Sequence, residues 1–204
     1  MAVFEEVEEL LNAMDRNGWA VMAGCVNEAD SHRLIGECED AWERGGFLKA
    51  GVGKNQSLQV REEIRRDQVM WLDPNGAASG QQNYLALLET LRSALNQRFF
   101  LGLFDLEAHF AIFQAGAFYK AHLDRHAGSN ERIVTVILYL NPEWSPGDGG
   151  ELKLWTTSSG QQGTFTLIEP RMGTVVCFMA GDFWHEVLPA TKRRLSITAW
   201  FRKS

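Results

Sequence analysis

Apolar positions recur in two different rhythms along this chain, and the change falls near Gly102. In the first part, Phe4, Val7, Leu10, Leu11 and Met14 return at the spacing of one helical face, and Gly18 is placed to end that helix. A second helix is expected from Glu28 to Arg44: Asn27 can cap it, Leu34, Ile35, Cys38 and Trp42 form its inward stripe, and Gly45-Gly46 closes it. A third begins near Ser79 and carries Leu85, Leu88, Leu91 and Leu95 on one side. Between the second and third lies a polar, glycine-containing stretch at 47–63, read as a mobile loop, followed by an apolar strand at Val69 to Leu72.

Beyond Gly102 the period shortens to two. Strands are expected at Leu106 to Phe113, Phe118 to Leu123, Arg132 to Leu140, Glu151 to Trp155, Thr164 to Ile168, Thr174 to Phe178, His185 to Leu188 and Leu195 to Phe201. Turn residues separate them: Gly116, Asn141-Pro142, Gly147 to Gly150, Gly160, Pro170 with Gly173, Gly181 and Pro189. Short strands at this spacing imply a sandwich or barrel. The simplest architecture is mainly β, a jelly-roll core braced by about three N-terminal α-helices.

Composition narrows the setting. With 204 residues, 45% hydrophobic, the chain is long enough for one sizeable core and short for two. A single domain, 1–204, is expected, with 1–101 as helical support and 102–204 as the jelly roll. The net charge of -6, without a long Lys/Arg run, argues against nucleic acid as a partner. Cys25, Cys38 and Cys177 are odd in number and widely spaced, which fits neither a disulfide framework nor a zinc ribbon and suits a reducing cytoplasm. The opening residues MAVFEEVEELL are acidic where an export signal needs basic residues, and the apolar runs fall well short of the roughly 20 residues needed to cross a bilayer. A monomeric cytoplasmic protein without a membrane partner is expected.

The chemistry gathers at His122, Asp124, His185 and Arg194. On an extended strand His122 and Asp124 leave the same face and can grip one ion together, with His185 opening a later strand as a third ligand. Two imidazoles and one carboxylate on one face of an octahedral ion leave three positions open, the arrangement of non-haem Fe(II) oxygenases. Arg194, on what the spacing suggests is the next antiparallel strand, would carry a buried charge and need an acidic partner, which a dicarboxylic cosubstrate provides bidentately. Tyr139 either donates to the same carboxylate or is a core tyrosine bonded to a backbone carbonyl. His109 reads as a packed strand residue, His126 as a loop residue beside the site, His32 as helix surface, and Glu5 to Glu9 as a solvated face. Trp144 and Trp184 lie in loops near the expected mouth.

These residues sit in segments with a clear resemblance. Phe118-Tyr119-Lys120-Ala121-His122-Leu123-Asp124, Val136-Ile137-Leu138-Tyr139-Leu140-Asn141, Gly149-Gly150-Glu151-Leu152, Ile168-Glu169-Pro170 and His185-Glu186-Val187-Leu188-Pro189-Ala190 through Arg194 look like the prolyl hydroxylase domain family. These are 2-oxoglutarate- and Fe(II)-dependent oxygenases related to the oxygen-sensing prolyl hydroxylases of animals, with bacterial counterparts. The likeness runs from about Val60 to Phe201. It implies a double-stranded β-helix, His122, Asp124 and His185 as catalytic iron ligands, and Arg194 with Tyr139 on the distal carboxylate of 2-oxoglutarate. Tyr119, Thr198 and Trp200 match residues near the metal and the cosubstrate. Ile64-Arg65-Arg66-Asp67 followed by Trp71 resembles a motif after a substrate-covering loop, which assigns 51–63 to that loop and Arg65 and Asp67 to substrate; Trp184, from its loop near the mouth, is a further candidate substrate contact. Phe113 stands where relatives often carry a tyrosine, Arg66 replaces a usual glycine, and Trp184 replaces a proline.

The resemblance implies hydroxylation of a prolyl residue in a protein, with elongation factor Tu as a candidate target, Fe(II), 2-oxoglutarate and O2 as requirements, and ascorbate as a candidate reductant. A carboxylate at Asp124 points away from halogenation, for which a small residue would open a halide position. Alternatives are a small-molecule or free-proline hydroxylase, a non-catalytic jelly-roll sensor or binding module, and a zinc-dependent cupin-like enzyme.

Overall fold

Strand alternation sorts nearly every apolar side chain of the β region onto one of two faces. The computed structural model describes residues 2–52, 59–76, 78–125, 131–157 and 159–203. Its elements run α1 (Ala2–Asn17), β1 (Trp19–Met22), α2 (Glu28–Glu43), β2 (Leu48–Lys49), β3 (Gln68–Trp71), α3 (Ser79–Phe99), β4 (Asp105–Phe113), β5 (Tyr119–His122), β6 (Arg132–Tyr139), β7 (Leu152–Trp155), β8 (Phe165–Ile168), β9 (Val175–Met179), β10 (His185–Val187) and β11 (Arg194–Arg202). Among the described residues they form a seven-stranded sheet in the order β1-β9-β6-β11-β4-β3-β2 and a four-stranded sheet in the order β5-β10-β7-β8. Every strand pairing is antiparallel. This is the expected jelly roll, mainly β with three helices.

The helices form where their local signals stand. Gly18, at φ +76°, donates its N–H to the Met14 carbonyl and ends α1 in a conformation that a side chain would strain. Asn27 caps α2 by accepting the Asp30 N–H at 2.9 Å. The N-cap of α3 is Ala78, which has no capping group. Glu37 of α2 supplies one instead, accepting the N–H groups of Gly80 at 2.7 Å and Gln81 at 3.0 Å, so an acid meets the positive helix end from a neighbouring element.

The larger sheet is a partition. Ala108, Phe110 and Ile112 of β4, Val134, Val136 and Leu138 of β6, and Leu195, Ile197, Ala199 and Phe201 of β11 pack with the helices around Leu10, Leu34, Leu88 and Leu95. The alternate positions, among them Ala111, Phe113, Ile137, Tyr139, Val176 and Phe178, face Leu152, Leu154, Ile168 and Val187 of the smaller sheet. Burying a leucine of the first cluster contributes about 1.5–3 kcal/mol, so the helices hold one face firmly while the other is left for chemistry.

All eight strands expected beyond Gly102 are present, with ends shifted by no more than one residue. The sheet is nevertheless not confined to 102–204, since β1, β2 and β3 from the first half extend it on both sides. The stretch at 47–63 is also more structured than a bare loop: β2 pairs with β3, and Val52 bridges Gln59. Positions 53–58 of that loop, and His126, lie outside the described residues.

Candidate active site

The smaller sheet brings the two histidines together by register. His122 ends β5, His185 begins β10, and the two are direct cross-strand partners, with ring centroids 4.2 Å apart. Asp124 does not lie on the strand as expected. It sits in a bend just beyond β5, and this turn carries its carboxylate between the imidazoles, 3.5 Å from Nε2 of each. Ligand atoms of the three all fall within 4.8 Å of one another.

Backbone carbonyls decide how the rings face. Nδ1 of His122 lies 2.8 Å from the Lys120 carbonyl and Nδ1 of His185 lies 3.1 Å from the Phe183 carbonyl. A carbonyl only accepts, so each Nδ1 carries the proton and each Nε2 presents a lone pair to the centre. Thr135 of β6 completes the arrangement from the opposite sheet, donating its hydroxyl to Asp124 Oδ2 at 2.7 Å. Burial works to raise the Asp124 pKa, but the adjacent His185 and His122 outweigh it and hold the carboxyl well below its ordinary value. The set offers two neutral nitrogens and one carboxylate converging on a point, which suits a divalent first-row metal.

Arg194 approaches from the other wall. It opens β11, which lies in the larger sheet between β4 and β6, so it faces the histidines across the sandwich rather than following β10 in the same sheet. The side chain is 1% exposed. Its Nε donates to the Gly150 carbonyl at 2.9 Å, an Nη reaches Ser196 Oγ at 3.4 Å, and the guanidinium lies over the rings of Phe113 and Tyr139. Among the described residues no carboxylate pairs with it, and burial pushes its pKa down. Gly150 explains the double glycine: at φ +70°, an added Cβ would stand 2.9 Å from the Ala190 Cβ and 3.3 Å from Arg194 Cδ. The Tyr139 hydroxyl is buried against the Arg194 guanidinium, and Trp200 Nε1 is buried without a hydrogen-bond partner among the described residues.

A cavity of about 360 Å³ joins these parts, lined by His122, Asp124, His185 and Arg194 together with Tyr119, Ser196, Thr198, Trp200, Arg65 and Asp67. Such a volume accepts a small diacid. A buried cation without a counter-charge among the described residues is what a carboxylate ligand would satisfy. The residues therefore fit both the metal and 2-oxoglutarate.

The remaining expected residues take varied places. Tyr119 stacks on His122, with centroids 3.6 Å apart at 16°, and Arg65 lies 4.2 Å over its other face. Arg65 and Asp67 line the cavity but are committed to each other through a two-pronged ion pair. Tyr139 is packed beneath Arg194 and is not part of the cavity wall. Trp184 is also absent from the wall; its carbonyl accepts the Trp155 N–H, and its ring covers Gly160. Trp144 is buried and donates to the Gly149 carbonyl. His32 is exposed beside Glu28. Thr135 and Ser196 escaped sequence reasoning, Gly150 was seen only in a motif and a turn, and His109 was read as a packed strand residue but also lines the cavity; counting by twos from Tyr139, Arg194 and Phe113 places Thr135, Ser196 and His109 on the cavity face.

Asn141, part of one recognised motif, turns out to secure the backbone. Its amide donates to the carbonyls of Pro170 and Leu195 and accepts the Leu195 N–H, fixing the loops beside Arg194.

Comparison with known proteins agrees with this geometry. The model of the 2OG-Fe(II) oxygenase superfamily matches residues 108–202. A Pseudomonas putida prolyl-4-hydroxylase of known structure is 40% identical, with a TM-score of 0.88 over 97% of this chain and 99% of that one. The prolyl hydroxylase of Trichoplax adhaerens, solved with a peptide fragment of the oxygen degradation domain of hypoxia inducible factor, shares the fold at a TM-score of 0.86 and 23% identity, over 99% of this chain and 91% of that one. The hypoxia-inducible factor prolyl hydroxylase of Caenorhabditis elegans is 27% identical over 95% of this chain, which spans 28% of that protein. This chain thus belongs to the 2OG-Fe(II) oxygenase superfamily and, within it, to the prolyl hydroxylase family.

Proposed function

We propose that this protein is a dioxygenase that hydroxylates a prolyl residue of a protein substrate. The reaction consumes 2-oxoglutarate and O2 and yields succinate, CO2 and hydroxyproline. The observation that carries this reading is one cavity with a His-Asp-His cluster on one wall and a buried, uncompensated guanidinium on the other. The likeness to the Pseudomonas putida prolyl-4-hydroxylase over almost the whole of both chains supports the prolyl substrate.

In this reading His122, Asp124 and His185 hold Fe(II), while Arg194 holds the distal carboxylate of 2-oxoglutarate, with Tyr139 beneath the guanidinium. Bound together with O2, these groups supply an oxidative decarboxylation and the insertion of one oxygen atom into a C–H bond. The protein's share is positional. Lys120 and Phe183 orient the imidazoles, Thr135 fixes the carboxylate, and the Gly150 carbonyl with Ser196 aims Arg194. Thr198, Trp200 and Tyr119 shape the space between cosubstrate and substrate, and ascorbate serves as reductant. The Arg65–Asp67 pair stiffens the cavity wall behind Tyr119.

Elongation factor Tu is the proposed target, on family resemblance. A cytoplasmic setting is proposed from the three unpaired cysteines. Among the described residues, no helix is long and apolar enough to cross a membrane.

The test is mass spectrometry of cell lysate incubated with the enzyme and Fe(II), with and without 2-oxoglutarate. A proline gaining about 16 Da, one oxygen atom, only in the presence of 2-oxoglutarate is the expected result. Modification of lysine or asparagine instead would remove the prolyl assignment and leave the oxygenase intact. Modification of free proline alone would favour a small-molecule enzyme. Retained zinc with no response to 2-oxoglutarate would remove both.

A further inference from the structure

The outer half of the cavity holds a residue with no role so far. His109 shares a face of β4 with Ala111 and Phe113, at the far end of the row from Arg194. Phe113 is the register partner of Arg194, whereas His109 is flanked by Thr198 on β11 and Trp71 on β3. Four residues of strand separate the two ends, about 13 Å. Trp71 is 52% exposed, so the His109 end is the entrance and the Arg194 end the floor.

The imidazole is fixed there. Trp71 meets it edge-on at 5.1 Å and Trp200 lies against it at 5.2 Å. Its Nδ1 is 3.0 Å from the Phe110 carbonyl and therefore carries the proton, which leaves Nε2 as a lone-pair acceptor. Burial pushes its pKa down to about 4, so the ring is neutral near pH 7. Among the described residues no donor is bonded to Nε2. The neighbouring cation, Arg132, is committed to Glu107 at 2.7 Å and to the face of Trp200 at 3.6 Å.

An unpartnered acceptor at an entrance selects for a donor on whatever enters. Resting on the prolyl hydroxylase reading, we propose that His109 is a specificity-determining residue whose Nε2 accepts a hydrogen bond from the main-chain N–H of a residue flanking the target proline. Within a peptide the prolyl nitrogen carries no hydrogen, so the donor must come from a neighbour. The walls around His109 are aromatic, and a prolyl ring packed among them brings that neighbour's backbone close to the imidazole.

The experiment pairs two perturbations. A proline peptide identified from lysate is compared with versions N-methylated on the residue before or after the proline, using wild type, His109→Met and His109→Gln. Removing one such bond lowers kcat/KM by roughly tenfold. The expected result is that N-methylation on one flank and His109→Met each cause this loss, and that the two together cause no more than either alone. His109→Gln, which keeps an acceptor, restores most of the rate. Stabilisation by Mn(II) and 2-oxoglutarate stays at the wild-type level in both variants, which also verifies folding. Losses that multiply, or no loss in His109→Met, would overturn the proposal. If wild type turns over 2-oxoglutarate but hydroxylates no prolyl peptide, it is the prolyl reading that fails, and this proposal with it.

Discussion

Replacing Arg194 with methionine separates the needs of the fold from those of the chemistry. Among the described residues the guanidinium has no carboxylate of its own, and the anion acting on it through space, Asp67, is already paired with Arg65. Exchanging a buried ionic group for an apolar one of similar size is commonly neutral or stabilising by about 1–4 kcal/mol. Against this stands the bond from Nε to the Gly150 carbonyl, a net contribution of about 1 kcal/mol, plus some cost for the carbonyl left without it. The expected outcome for Arg194→Met without ligands is a change between none and a gain of about 2 kcal/mol. At about 2–4 °C per kcal/mol for a chain of this size, the Tm stays level or rises by up to about 8 °C. The ligand response goes the other way. Added to the Mn(II)-loaded protein at a hundredfold excess over its Kd, 2-oxoglutarate stabilises wild type by about 2.7 kcal/mol, and Arg194→Met loses nearly all of that increment. Thermal denaturation with and without the two ligands, followed by circular dichroism, reads both effects. A Tm at least 5 °C lower in the unliganded variant, or an undiminished shift on adding 2-oxoglutarate, would refute the assignment of Arg194 as a strained anion receptor.

Further outcomes follow from other contacts. Thr135→Val keeps the side-chain shape but removes the donor to Asp124 Oδ2, and metal affinity falls by about 10–100-fold in a Mn(II) titration. Arg65→Ala leaves the Asp67 carboxylate, 2% exposed, without its partner and costs about 3–5 kcal/mol in denaturant unfolding, whereas Arg65→Met combined with Asp67→Leu recovers most of that loss. The His109 pKa of about 4 lies below the value near 6.5 of an unfolded histidine, so the unfolded chain binds the proton more readily. Its contribution is intact above pH 6.5 and is lost as the pH falls from there toward 4, by about 3 kcal/mol at most. The difference in stability between wild type and His109→Met, measured from pH 7 to 4.5, carries this slope.

The strongest sequence signals were local or chemically conspicuous. Asn27 and Gly18 mark helix ends because their conformations are decided within a few residues, and the structure has both in place. The long alternating runs became strands because one side of each had to be buried. Trp19–Met22 escaped notice because four residues carry too little periodicity, and its partner, β9, lies far along the chain. Leu48–Lys49 is shorter still. At the site, His122, Asp124, His185 and Arg194 were readable because few side chains can bind metal or an acidic ligand. Their spatial relation was not. Asp124 was expected on the strand and stands in a bend, while Arg194, on the next strand as expected, reaches the cavity from the opposite sheet. Thr135 and Gly150 act through contacts that exist only once the two sheets have packed, and neither carries distinctive chemistry.

Because the histidine cluster belongs to one sheet and Arg194 to the other, a diacid bound to both spans the gap like a clasp. Metal alone grips a single wall. Cosubstrate and metal together resist any opening that slides the sheets apart, so amide hydrogens of β5, β10 and β11 exchange more slowly as a group when both are present. The same layout means that half of the molecule retains no partial catalyst: a fragment or loosened state that keeps either wall loses the counterpart needed for turnover. Oxidising chemistry is thereby confined to chains whose two walls have closed on each other.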